Sequence, residues 1–301
     1  MQNKIPYSHQ IAFEFSRRGF RGSSIAWKIA RKIANENNGE LVILPNGFPI
    51  KIDKTDWIAR TIYEGTYERP LLSLLSIIKV EGCFVDVGAN IGVTLWNGMK
   101  GSGFESTYCA VEPSEQCQQG LRISTQSISN TGKVLNIAIG DRSELRMMHG
   151  LNNPEQSGGG SLIQHDGLNG EDVPVQVRTL DELIFENQIP ESVYLLKVDT
   201  EGYEAQVLSG GKLLVSRQEV RIFILEVSPT FCSTDWVKDL YIEMFSNYTF
   251  FKLTERGSFR MKPKLIEVSL EEAPNIEEQW NLVIIRDDIL ATNPELNRLV
   301  N

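Results

Sequence analysis

Short, nearly unbroken apolar runs alternate with helix-forming stretches over most of the chain beyond about Asp56. The first five runs are Cys83–Val87, Thr107–Val111, Val134–Ile139, Val193–Val198 and Arg221–Val227. Strands that are apolar at almost every position are buried on both faces, which a parallel sheet between two layers of helices provides. Helices are expected from Ile91, from Ser114 and around Trp236 to Phe245. Tyr248–Leu253 and Asn281–Ile285 predict a closing antiparallel pair joined by a long acidic excursion. The pattern therefore predicts a doubly wound α/β fold with a mostly parallel seven-stranded sheet.

Two regions break this rhythm. Between the third and fourth strands, Ser157-Gly-Gly-Gly-Ser161 predicts a flexible loop, either a lid or a plain hairpin tip, and Val173–Arg178 an extended segment. Thr179 then stands ready to cap a helix beginning at Leu180, with Asp181 and Glu182 in the first turn, where the helix dipole favours acids. Ahead of Asp56, Ile25, Ile29 and Ile33 recur every four residues, predicting a helix capped by Ser24 and packed through that stripe. Leu41–Ile52 is two apolar runs around Asn46-Gly47, which predicts a β-hairpin on a type I′ turn. The neighbouring prolines mark its strands as edges. The expected organisation is an N-terminal helical and hairpin extension over residues 1–55, then a main domain over 56–301 with an insertion at about 145–180.

Composition narrows the partners. The 301 residues carry a net charge of −9, and no basic stripe suggests a nucleic-acid backbone. Arg17, Arg18, Arg21, Lys28, Arg31 and Lys32 form the one basic stretch of an acidic chain. Such a helix can meet a membrane surface or a polyanion; packing on the main domain with solvated charges is the preferred reading. Cys83, Cys109, Cys117 and Cys232 show no paired spacing, and three of them sit among apolar or helical neighbours, as buried thiols of a reducing compartment do. No apolar run approaches the ~18 residues of a spanning helix, and the N-terminus lacks a signal-peptide core. A soluble, cytoplasmic protein is expected; its oligomeric state is not indicated.

The densest chemistry is Phe84-Val-Asp-Val-Gly-Ala-Asn-Ile-Gly92, which ends the first strand and opens a helix. Gly88 and Gly92 permit a tight turn and close approach of a ligand, and the carboxyl ends of such strands are where doubly wound sheets bind ligands. Glu112 ends the second strand, where an acid can accept from both hydroxyls of a ribose. A dinucleotide fingerprint would need a further glycine where Val93 stands. Asp86 would also repel a pyrophosphate, whereas an acid there suits the ammonium group of S-adenosylmethionine. A nicotinamide-dependent oxidoreductase and a non-catalytic S-adenosylmethionine-binding protein are the rival readings.

That run, together with Val111-Glu-Pro113, Arg178-Thr-Leu-Asp-Glu-Leu183, Leu196-Lys-Val-Asp-Thr-Glu-Gly-Tyr-Glu204 and Ile224-Leu-Glu-Val227, resembles the successive motifs of the FkbM-type methyltransferases, in order, over roughly residues 60 to 230. The resemblance implies a class I methyltransferase fold, S-adenosylmethionine as donor, and an oxygen acceptor on a sugar, polyketide or related metabolite. It implies that Asp86, Gly88, Asn90 and Gly92 line the methionine end of the donor, that Glu112 holds the ribose, and that Asn136 and Ala138 lie near the adenine.

Lys197 sits in an apolar strand and must find a carboxylate partner; Glu226 or Glu204 is the structural expectation. Asp199, which closes that strand, is the first choice of general base, with Glu201 second. His165, just beyond the glycine loop, is a further catalytic candidate that also reads as an exposed loop residue. Oxygen ligands from Asp199, Glu201 and Glu226 would suit Mg²⁺ or Ca²⁺, a lesser alternative to a metal-free site. The acceptor is expected to be a hydroxyl on a small molecule or glycan.

Overall fold

A computed structural model of the chain describes residues 5–20, 22–33, 39–51, 53, 55–128, 132–165, 168–228, 245–257, 261–269 and 278–300. Helices α1 (Tyr7–Arg17) and α2 (Ser23–Ile33) come first, followed by the hairpin β1 (Leu41–Ile43) and β2 (Pro49–Lys51). Next are α3 (Trp57–Glu64), α4 (Arg69–Leu75), β3 (Cys83–Val87), α5 (Val93–Gly101), β4 (Thr107–Val111), α6 (Glu115–Thr125) and β5 (Gly132–Leu135). An inserted unit holds β6 (Ala138–Ile139), β7 (Glu144–Leu151) and β8 (Glu171–Arg178). After α7 (Leu180–Phe185) come β9 (Val193–Val198), α8 (Glu204–Ser209), α9 (Lys212–Ser216) and β10 (Val220–Val227). The chain closes with β11 (Tyr248–Arg256), β12 (Lys262–Glu267), β13 (Trp280–Arg286), α10 (Asp287–Thr292) and α11 (Pro294–Val300).

The main sheet runs β12-β11-β13-β10-β9-β3-β4-β5. The five strands from β10 to β5 pair in parallel, while β13, β11 and β12 are antiparallel to their neighbours. This is the expected mostly parallel, doubly wound sheet with an eighth strand, because the acidic excursion between β11 and β13 returns as β12 instead of staying irregular. The expected third strand also divides: β5 stays in the main sheet, and β6 leaves it to pair with β8 in a three-stranded sheet. The helix expected around Trp236 to Phe245 and Cys232 lie outside the described residues, apart from the buried Phe245.

Side chains alternate across a strand, and so the sheet divides two cores. Phe84, Leu195, Ile222 and Ile224 join one cluster; Val85, Val87, Leu196, Val198, Phe223 and Leu225 join the other. The first cluster also holds Phe13, Trp27, Val42 and Phe48 from the N-terminal elements, which therefore cover one face of the sheet. Fully burying a side chain such as Phe84 stabilises the fold by about 1.5–3 kcal/mol. Cys83, Cys109 and Cys117 are buried free thiols, as expected.

Several local expectations hold and two need correction. Thr179 caps α7 in a reciprocal capping box with Glu182, and Ser114 caps α6. The hairpin forms, but Gly47 N donates to Leu44 O and Leu44 N to Phe48 O, enclosing three loop residues. Only Gly47 has positive φ, +98°, which suits a turn followed by a left-handed glycine rather than the two-residue type I′ form. In α2 the stripe is reversed: Trp27 and Ala30 are buried, whereas Ile25 and Ile29 are exposed. Periodicity identifies two faces of such a helix; the indole N–H of Trp27, which donates to Ser16 Oγ at 2.9 Å and Glu64 O at 3.1 Å, fixes which one faces inward.

Candidate functional site

The site is built where β3, β4 and β9 end. After Val87 the chain turns through Gly88 to Gly92 into α5, and Gly88 N and Ala89 N both donate to Val111 O, at 2.9 and 3.0 Å. Gly88 has φ +77°, and a Cβ there would lie 1.8 Å from the Asp199 carbonyl oxygen. Only glycine lets these two strand ends approach so closely. Asn90, at φ +50°, donates its backbone N–H to Glu112 Oε2 at 2.8 Å, and Ser114 N donates to Oε1 at 2.8 Å. Burial pushes Glu112 up to about 7 despite these two backbone donors. Each carboxylate oxygen keeps a lone pair for a further donor.

Around these residues lies a cavity of about 310 Å³, at the small end of the ~300–1,000 Å³ typical of ligand pockets. Gly88, Asn90, Glu112 and Ser114 form one side, and Ile137, Ala138, Met148 and Leu162 form an apolar wall. Trp57, Ile58, Tyr67 and Glu68 enter from α3 and the segment before α4. Asp199, Thr200, Glu201, Glu226 and Gln279 supply a polar, acidic end. The glycine loop is part of the wall through Ser157, Gly158 and Gly160. It is tied down by Cys117 Sγ, which donates to Ser157 O at 3.1 Å, and by Ser161 Oγ, which donates to Glu201 O at 2.8 Å.

Electrostatics organise the acidic end. Lys197 is buried, with Nζ 3.1 Å from Asp199 Oδ2 and 3.4 Å from Asp86 Oδ1. Burial alone would lower its pKa; Asp199 and Asp86 outweigh that and hold it above the usual lysine value. Asp86 is fully buried beneath the pocket and accepts from Thr94 Oγ1 at 2.9 Å. Burial raises its pKa, with Lys197 and Thr94 opposing. Carboxylate oxygens of Asp199, Glu201 and Glu226 lie within 4.8 Å of one another. Burial, then the Asp199 and Glu201 charges, push Glu226 up to about 10. Glu201 is partly exposed to solvent; desolvation, then the Asp199 and Glu204 charges, push it up to about 8. At neutral pH Glu226 keeps its proton, which relieves its repulsion with the neighbouring carboxylates. The oxygen set also has the chemistry of a divalent-cation site.

Of the residues singled out in the sequence, Gly88, Asn90, Glu112, Ala138, Asp199, Glu201 and Glu226 line one cavity. Gly92 stands outside the wall at φ +82°, where a Cβ would lie 2.4 Å from Ser124 Oγ. Lys197 pairs with Asp86 and Asp199, not with Glu226 or Glu204. Glu204 instead accepts from Thr200 N and Gly202 N, at 2.7 and 3.2 Å, and so braces the turn that carries Glu201. Asn136 is exposed, and its amide nitrogen faces Pro113 O at 2.9 Å, so it supports the Glu112 loop from outside the pocket. His165 is exposed and outside the wall. Trp57, Met148, Leu162 and Gln279 were not foreseen; only Trp57, beside the helix cap Asp56, carried a local signal. Among the described residues no helix is long and apolar enough to cross a membrane.

The family model described as "Methyltransferase FkbM domain" matches residues 86–257, more than half of the chain. No curated protein matches at a significant level. Among solved structures, a methyltransferase FkbM from Methylobacillus flagellatus KT is similar at 15% identity and a TM-score of 0.42, over 77% of this chain and 55% of its own. The chain thus spans about half the length of that relative. A putative O-methyltransferase from Klebsiella pneumoniae is similar at 9% identity and TM-score 0.38, over 72% and 79% of the two chains. A putative RNA methyltransferase from Pyrococcus horikoshii gives 11% and 0.35, over 74% and 83%.

Proposed function

The chain belongs to the FkbM methyltransferase family, and from that premise we propose that it moves the methyl group of S-adenosylmethionine to a hydroxyl oxygen of a small molecule, sugar or glycan. The observation that carries this reading is the convergence of three strand ends on one cavity: the glycine turn after β3, Glu112 after β4 and the acidic end after β9. The residues suit the donor. Glu112 has lone pairs to accept from ribose hydroxyls, Ile137 and Ala138 offer an apolar wall for the adenine, and the acids oppose its two positive charges. Asp86 acts on the donor end through Lys197 and the strand, since it does not line the cavity. When bound, S-adenosylmethionine supplies a methyl group already activated by its positively charged sulfur.

The protein's own contribution is then to hold the acceptor oxygen in line, at about 3 Å, and to take its proton. Glu201 suits the base role better than Asp199. Asp199 is committed to Lys197 at 3.1 Å, while the Glu201 carboxylate, raised to about 8, is the stronger base in its ionised fraction, so turnover should rise with pH up to about 8. Glu226, protonated at that pH, can donate to the acceptor or to Asp199. Metal is not required by this scheme, and full turnover in excess chelator is expected. The test is incubation with methyl-labelled S-adenosylmethionine and a panel of glycosides and polyketide-like alcohols. Methyl ethers are the expected products; label found only on nitrogen or carbon would overturn the oxygen assignment.

A further inference from the structure

The helical hairpin α1–α2 needs one face of each helix to pack, and it carries a second apolar face on each. At about 100° per residue, His9, Ala12, Phe13 and Ser16 form the buried side of α1. Tyr7, Ile11 and Phe15 recur at intervals of four on the opposite side and are 76%, 43% and 43% exposed. In α2, Trp27 and Ala30 face inward, and Ile25 and Ile29 opposite them are 62% and 56% exposed. Single exposed apolar residues need no explanation, but stripes on adjacent elements mark an interaction surface. These five residues are all bulky, and two are aromatic.

Charge identifies what covers the surface. The first 33 residues hold seven basic side chains against one acid, Glu14, a net of +6. With −9 for the whole chain, the remaining 268 residues carry −15. Lys28 is exposed between Ile25 and Ile29. Arg17 and Arg18 flank the α1 stripe, with half-exposed side chains that share Glu14. We infer that the outer face of α1–α2 docks on an anionic lipid bilayer, with the apolar stripes entering the interface and the basic residues meeting the headgroups. Apolar stripes bordered by Lys and Arg are the signature of interfacial helices. The acidic body would be repelled by the same surface, so docking is oriented. Self-pairing through this face would instead set two N-terminal segments of net charge +6 against each other. The hairpin is also fixed to the site. Trp27 Nε1 donates to Glu64 O of α3 at 3.1 Å, and α3 supplies Trp57 and Ile58 to the cavity wall. Docking would hold that cavity near the lipid surface.

The test is sedimentation of the full chain with vesicles of phosphatidylcholine alone or with phosphatidylglycerol added. Binding to the anionic vesicles that weakens with salt is expected, since each basic residue near such a surface strengthens binding about fivefold. The double variant Ile25→Asp, Ile29→Asp should lose at least about tenfold in binding. Lys28→Glu, a milder surface change, should lose at least about fivefold. Both should keep the wild-type melting temperature. Equal binding by wild type and variants, or none by the wild type, would overturn the inference. So would a wild-type dimer that these variants abolish, which would assign the face to a second copy of the chain.

Discussion

The turn after β3 and the wall opposite it reach the same cavity by different means. In the turn, backbone decides: Gly88 has room only because it lacks a Cβ, which would lie 1.8 Å from the Asp199 carbonyl, and Asn90 places its own N–H on Glu112 at 2.8 Å. In the opposite wall, side chains decide. Trp57, the adjoining Tyr67 and Glu68, Glu226 and Gln279 come from four parts of the chain. A site half fixed by backbone approach tolerates almost no change, whereas a half made of side chains can be revised one residue at a time.

Breaking the backbone half should have the largest effect. Gly88→Val forces a side chain into the Asp199 carbonyl at positive φ and should cost about 4 kcal/mol or more. Denaturant unfolding would read it, and a near-native midpoint would show that the close approach is not rigid. On the side-chain half, Glu201→Gln should lower kcat by about 10²–10⁴, leave donor affinity unchanged and not lower the melting temperature. A kcat near wild type would remove Glu201 as base.

Acidity sharpens the comparison further. Glu112, Glu201 and Glu226 have folded pKa values of about 7, 8 and 10, all above the ~4.3 of an unfolded glutamate. Between those values the folded chain binds more protons than the unfolded one, so their contribution is fully present below about pH 4 and is lost progressively above it, the loss being complete at about pH 7 for Glu112, 8 for Glu201 and 10 for Glu226. The melting temperature of the ligand-free protein should fall as pH rises from about 4 to 10, and Glu226→Gln should flatten the part of the fall above about pH 8. A melting temperature that rises with pH would contradict these protonation states. The smallest effect is expected at the rim: Trp57→Ala, half exposed, should cost acceptor kcat/KM about tenfold through lost stacking, with donor affinity unchanged. A matching loss of donor affinity would place Trp57 on the donor side.

The same division explains what could be read beforehand. β3, β4, β9 and β10 were visible because burial on both faces leaves almost nothing but apolar residues. The glycine turn was visible because its geometry demands particular residue types. Lys197 announced that it needed partners, but which carboxylates it met depended on strand register: Asp86 lies beside it in the neighbouring strand. The stripe of α2 was misread because Ile25 and Ile29 are as apolar as a core face, and only the tertiary bonds of Trp27 settle the choice. Gln279 and Met148 left no trace, since long-range convergence is not encoded in local pattern.

The most direct test of the donor pocket is calorimetric titration of the purified chain with S-adenosylmethionine and S-adenosylhomocysteine, with NADH as control. The account predicts one-to-one binding of both adenosyl compounds, weakened by Glu112→Ala, and none of NADH. Binding of NADH without the adenosyl compounds would contradict it.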